Sequence, residues 1–118
     1  MSENNYTVKV YNQTKLITEI TVQGGNVSFK NYADGVDKIW QPFGEKEIAT
    51  YEDLQEYYED RCFPRERENA DDILKRLDIP FYDGELICRK THGTQFDDFC
   101  WLQFSDEPQV TYEDVRLR

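Results

Sequence analysis

Residues 91–104 read THGTQFDDFCWLQF and bring His92, Asp97, Asp98, Cys100 and Trp101 into one short stretch. His92 is the only histidine of the chain. A histidine beside carboxylates is the material of general acid–base catalysis, and adjacent aspartates such as Asp97 and Asp98 suit a magnesium ion in a small hydrolase or nuclease. Cys88 and His92 also offer the elements of a thiolate and base pair.

The elements that must position these groups argue otherwise. Leu86–Lys90 and Phe99–Phe104 read as two strands joined by residues 91–98, and a rise of about 3.3 Å per residue then holds Cys88 and His92 roughly 13 Å apart. Adjacent strand residues point to opposite faces, so Asp97 and Asp98 do not converge without a bulge. Zinc sites draw on several Cys or His ligands, and one histidine falls short of that. The stretch therefore reads as a hairpin connection with turn chemistry at Thr91-His92-Gly93. No phosphate-cradling glycine loop, G-x-S-x-G or H-E-x-x-H occurs. The expectation is no enzyme, no cofactor and no metal.

The chain has 118 residues, the size of one domain with one core. Eight tyrosines and seven phenylalanines must supply much of its interior. Acidic residues outnumber basic ones 24 to 14, for a formal charge of -10. Such a surface repels nucleic acid and anionic membranes and steers basic proteins toward it; general solubility is the plainer explanation. No stretch is apolar enough to span a bilayer and MSENNYTV is not a signal peptide, so a cytoplasmic protein is expected. Cys62, Cys88 and Cys100 lack C-x-x-C spacing and read as small buried hydrophobes.

Alternation of Tyr6, Val8 and Val10, then Leu16, Thr18, Ile20 and Val22, then Val27 and Phe29, predicts an antiparallel meander over residues 5–30. Residues 31–48 read as a connection with a short strand or turn near Trp40. Thr50 and Asp53 form a capping-box pattern that opens a helix, with Tyr51, Leu54 and Tyr58 on one face. A second helix is expected from Pro64 through Ala70, Ile73, Leu74 and Leu77, ending at Asp78-Ile79-Pro80. Thr111-Tyr112-Glu113-Asp114 repeats the start pattern of the first helix and leaves room for a short terminal one. The expected fold is thus a single α+β domain over residues 1–118: an N-terminal β-meander, two central helices, a C-terminal β-hairpin and a short terminal helix.

Glu52, Asp53, Glu56, Glu59 and Asp60 crowd the first helix before any basic residue. At i, i+3 and i+4 spacing they form a carboxylate row, and like charges so placed destabilise a helix by a few tenths of a kcal/mol per pair, about what a binding role would offset. The plain alternative is a solvated face answered by Arg61, Arg65 and Arg67. Tyr57 lies off the apolar stripe and is either a contact residue or part of a second buried face. Arg61, Arg65, Arg67, Lys75, Arg76, Arg89 and Lys90 form a basic stretch, interleaved with Asp71, Asp72 and Asp78, that reads as ion pairs and arginine packing.

Two resemblances bear on function. The Arg61-x-x-Pro64-x-x-Arg67 helix start, followed by Gly93-x-x-x-x-Asp98-x-x-Trp101, resembles a small module of Gram-positive bacteria and their mobile elements that accompanies HipA-like serine/threonine kinases; it implies a regulatory role and no kinase activity. In length, acidity and general character the chain also resembles anti-CRISPR inhibitors of type II RNA-guided nucleases. That likeness implies a basic protein partner, engaged by Glu52, Asp53, Glu56, Glu59, Asp60 and additionally Asp97 and Asp98, with no direct binding to nucleic acid.

Overall fold

The alternation over the first thirty residues builds three antiparallel strands, β1 (Tyr6–Asn12), β2 (Lys15–Gln23) and β3 (Asn26–Asn31), in a computed structural model that describes residues 5–62, 66–94 and 99–116. A fourth strand, β4 (Cys100–Phe104), pairs antiparallel with β1, giving the order β3-β2-β1-β4. Val8 faces Ile20 on one side and Phe104 on the other, and Val10 faces Thr18 and Leu102. These alternate residues share one face of the sheet, and all are buried. One residue is extra in β2: Tyr11 pairs with Leu16 but Val10 with Thr18, so Ile17 bulges. Its carbonyl accepts the N–H groups of Tyr32, at 2.8 Å, and Ala33, at 3.2 Å, and so turns the chain out of β3.

Helix α1 (Tyr51–Asp60) starts with the expected capping box: Asp53 N–H donates to Thr50 Oγ1 at 3.1 Å and Thr50 N–H to Asp53 Oδ2 at 2.9 Å. It buries Leu54 and Tyr58 against the sheet, while Tyr51 stays largely at the surface. Tyr57 is partly buried and packs on the same core. Helix α2 (Ala70–Arg76) is shorter than its apolar spacing suggests, and Pro64, its expected first-turn residue, lies outside the described residues. Leu74 joins Ile79 and Ile87 in a second small core. The terminal helix α4 (Tyr112–Arg116) repeats the capping geometry through Thr111 and Asp114 and anchors Val115.

One expectation is resolved to its turn alternative and one is corrected. Residues 35–40, read as a strand or turn near Trp40, form a 3-10 turn (Gly35–Trp40). The C-terminal hairpin does not form, because Leu86–Lys90 belongs to a helix, α3 (Gly84–Thr91). Asp83 caps it by accepting from Leu86 N–H at 3.0 Å, Glu85 pairs with Arg89 one turn on at 3.0 Å, and Ile87 and Cys88 point inward. The apolar run Leu86-Ile87-Cys88 was too short to separate strand from helix by period alone. Strand β4 therefore finds its partner in β1, about ninety residues away in sequence. The α+β class stands, with three helices between the meander and the last strand. Among the described residues no helix is long and apolar enough to cross a membrane.

Gly84 sits where α3 starts beneath α1. A Cβ there would lie 3.1 Å from Tyr58 Cβ and from Glu59 Cγ, so the two helices approach closely only over a glycine. The core beneath them holds one polar pair: the hydroxyls of Tyr6 and Tyr58 are 2.9 Å apart, with Phe104 against both rings. Burial pushes both phenols well above their ordinary pKa, so they stay protonated and the bond persists at any pH the fold meets. Tyr58→Phe, which strands the Tyr6 hydroxyl, is expected to lower the unfolding free energy by about 1–2 kcal/mol in urea titration. Gly84→Ala is expected to lower it by a similar amount, roughly 1–3 kcal/mol, by forcing α3 away from α1.

Candidate functional site

Helix α1 is held along its inner face and at its first turn, which fixes what its outer face presents. Leu54 and Tyr58 anchor the inner face, and the capping box fixes the first turn. Glu52, Glu56, Glu59 and Asp60 are exposed, as the sequence row requires. Asp53 is set apart from them. Its carboxylate closes the capping box and pairs with Lys46 at 2.9 Å, and these hydrogen bonds, with the Lys46 charge, hold its pKa below the usual carboxylate value. Because that pKa is depressed on folding, Asp53 supports the helix above the ordinary carboxylate range and loses that contribution as pH falls through the folded value. Asp97 and Asp98 lie outside the described residues.

Glu52 and Asp53 occupy the first turn, where the helix dipole favours acid, but Glu59 and Asp60 occupy the last turn, where it opposes them, and no basic residue lies in that turn. The row is therefore continuous along the helix despite an electrostatic cost at one end.

Two of the basic residues, Arg61 and Arg89, are placed as internal fasteners. Arg61, only 8% exposed, donates from Nε to the Gly93 carbonyl at 2.8 Å and from Nη2 to the Cys100 carbonyl at 3.1 Å. Arg89 lies over the rings of Phe104 and Tyr6, at 4.3 and 4.8 Å, and bonds to Glu85, Asp106 and Glu107. Those carboxylates outweigh its desolvation and hold it charged. Lys75, Arg76 and Lys90 are exposed, as is Arg67; Arg65 is outside the described residues.

The His92 stretch resolves as architecture. His92 is the left-handed end of α3, with φ 59°, and Gly93 follows with φ 64°. The reversal brings His92 alongside β4, where its carbonyl accepts Leu102 N–H at 2.7 Å and its Nδ1 donates to the Leu102 carbonyl at 3.3 Å. One residue thus pairs with both main-chain groups of Leu102, as a fifth strand would. Helical winding also places Cys88 and His92 a single turn apart, about 6 Å along the axis, instead of the 13 Å of an extended chain. They are nonetheless committed separately: the Cys88 thiol donates to the Tyr58 carbonyl at 3.4 Å. Among the described residues no group of three or more His, Cys, Asp and Glu side chains converges on a point that could hold a metal ion. On the far face of the sheet, Trp101 stacks on Tyr11 at 4.6 Å and donates to the Gln13 carbonyl.

Sequence reasoning expected ion pairs and arginine packing of the basic stretch but did not name the partners of Arg89 or of Arg61, and it missed the proximity of Cys62 to Cys88. The Arg89 network and the meeting of the two thiols depend on α3 being a helix. Glu85 and Arg89 at i, i+4 were the available signal for it.

His92→Ala removes one side-chain hydrogen bond and is expected to destabilise the fold by about 1–2 kcal/mol, with His92→Asn milder because asparagine tolerates the left-handed backbone; urea melts compare them. Glu56→Gln, on the outer face, is expected to leave the midpoint unchanged or to raise stability by a few tenths of a kcal/mol, roughly the value of a like-charge helix pair. Compared with protein-family models, curated proteins and solved structures, the chain finds no significant match.

Proposed function

We propose that the protein is a non-enzymatic inhibitor that binds a basic nucleic-acid channel of a type II CRISPR RNA-guided nuclease and keeps guide RNA or target DNA out. The observation that carries this reading is the exposed row Glu52, Glu56, Glu59 and Asp60 on a helix anchored by its opposite face. At about 1.5 Å of rise per residue the row covers roughly 12 Å, or one negative charge per about 3–4 Å. A single nucleic-acid strand carries one phosphate per about 3.4 Å, so the spacing along the two axes is similar. The net charge of -10 adds long-range attraction to a basic channel. Asp53 supports the row from within the helix start, and Asp97 and Asp98 are further candidates for contact.

Arg61 bears on the alternative, a regulatory module of a HipA-like kinase. Such a module would turn Arg61 toward its partner, whereas here it is buried beneath α1 and bonded to main-chain carbonyls. That weighs toward the acids as the binding groups.

A DNA-cleavage assay with type II nucleases, adding the protein before or after guide RNA, tests the reading. Inhibition is expected, weakening as salt rises from about 50 to 200 mM because the charges attract over roughly a Debye length. The variant carrying Glu52→Gln, Glu56→Gln, Glu59→Gln and Asp60→Asn is expected to lose inhibition by at least about tenfold, from several lost charge contacts of a few tenths to 1 kcal/mol each, with an unchanged circular dichroism spectrum. Full cleavage across a panel of such nucleases with the unmodified protein would overturn the proposal.

A further inference from the structure

The last turn of α1 leads into Cys62, which is partly buried, and α3 carries Cys88, which is fully buried. Both thiols converge on one atom. Cys62 Sγ donates to the Tyr58 carbonyl at 3.0 Å, and Cys88 Sγ reaches the same oxygen at 3.4 Å. Sharing one acceptor at 3.0 and 3.4 Å makes the two sulfurs near neighbours across the α1–α3 contact. The Cys62 bond is local, four residues back along the chain, whereas the Cys88 bond crosses from α3 to α1 and is what brings the second thiol to the same point. This convergence sets them apart from Cys100, which lies in β4, where its carbonyl is tied to Arg61.

We propose that Cys62 and Cys88 are a thiol modification site that closes to an intramolecular disulfide when the protein meets a low-molecular-weight disulfide. The two cysteines divide the work. Contact with the Cys62 thiol, and then burial, hold the Cys88 thiol well above its ordinary pKa, so Cys88 is protonated and shielded. Cys62, nearer to solvent, is the point of entry. Its thiolate attacks one sulfur of the small disulfide R–S–S–R, forming Cys62–S–S–R and releasing one R–S⁻, which takes up the Cys62 proton. Cys88 then gives up its proton and attacks the Cys62 sulfur. The Cys62–S–R bond breaks and the second R–S⁻ leaves with that proton. Two protein thiols and one R–S–S–R become one protein disulfide and two R–SH, so the protein is oxidised by two electrons and the small disulfide is reduced by two.

The bond would join the end of α1 to the middle of α3, across the 25 residues between the two cysteines. It restricts the unfolded chain and leaves the outer acids of α1 in place, so the oxidised protein is expected to melt at a higher temperature. In a reducing compartment the pair stays as thiols, and the bond forms only on oxidative exposure.

The test is to incubate the folded full-length protein with oxidised glutathione and to map its disulfides without reduction by mass spectrometry. The expected result is loss of two hydrogens from the intact mass, a single Cys62–Cys88 link, and full reversal by dithiothreitol. Cys100→Ser should form the same link; Cys88→Ser should stop at a glutathione adduct on Cys62; Cys62→Ser should take up no glutathione at Cys88. A link through Cys100, or a persistent Cys62 adduct in the unmodified protein, would overturn the proposal. So would unmodified thiols in the folded protein under conditions where a urea-unfolded sample is oxidised.

Discussion

The fold rests on the main-chain pairing of β4. This strand has no hairpin neighbour, so its strand partner must come from a segment distant in the chain, and every residue of it is buried. An unpaired N–H or carbonyl at such depth is costly, which makes the pairing of its two edges a strong constraint on the fold. β1 supplies one edge across the full register from Val8 to Asn12. The other edge meets His92, delivered by the left-handed end of α3 and steadied by Arg61 through the Gly93 carbonyl. Gly93 itself is pressed so close that a Cβ would lie 2.9 Å from Leu102. Helix, turn, buried guanidinium and strand thus form one unit. Little of it can change alone.

Much of the sheet and of α1 was legible in the sequence, because both rest on local signals. Alternation marks β1, β2 and β3, and the Thr50 and Asp53 pair marks α1 before any tertiary contact is considered. The terminal helix at Tyr112 was legible for the same reason. The segment 84–91 was not. Its apolar residues fit a strand as well as a helix, and what decides is tertiary: Gly84 packing under Tyr58 and Glu59, and the Arg89 network reaching across to Asp106. Once that segment is a helix, the pairing of β4, the role of His92 and the meeting of the two thiols all follow. One ambiguous run therefore hid several linked features.

The acidic row of α1 could be read by spacing alone, since helical period fixes which residues share a face. What the sequence did not display was the separate use of Asp53, drawn back into the helix start by Thr50 and Lys46. Nor did it show that Arg61, first in sequence after the acids, turns inward to main-chain carbonyls. The outer acids of α1 face solvent, while Arg61 and Arg89 bind the interior together.

The two outer edges of the sheet are unequal. β4 is closed by His92, whereas β3 ends the sheet, and among the described residues no further strand pairs with it. A sheet with one blocked end cannot serve as a link in an open chain of copies. Two copies meeting edge to edge through β3 would use up both open edges at once, so assembly by strand addition would stop at a closed pair and could not propagate into a fibre. His92, a residue type suited to catalysis, here covers a strand edge instead.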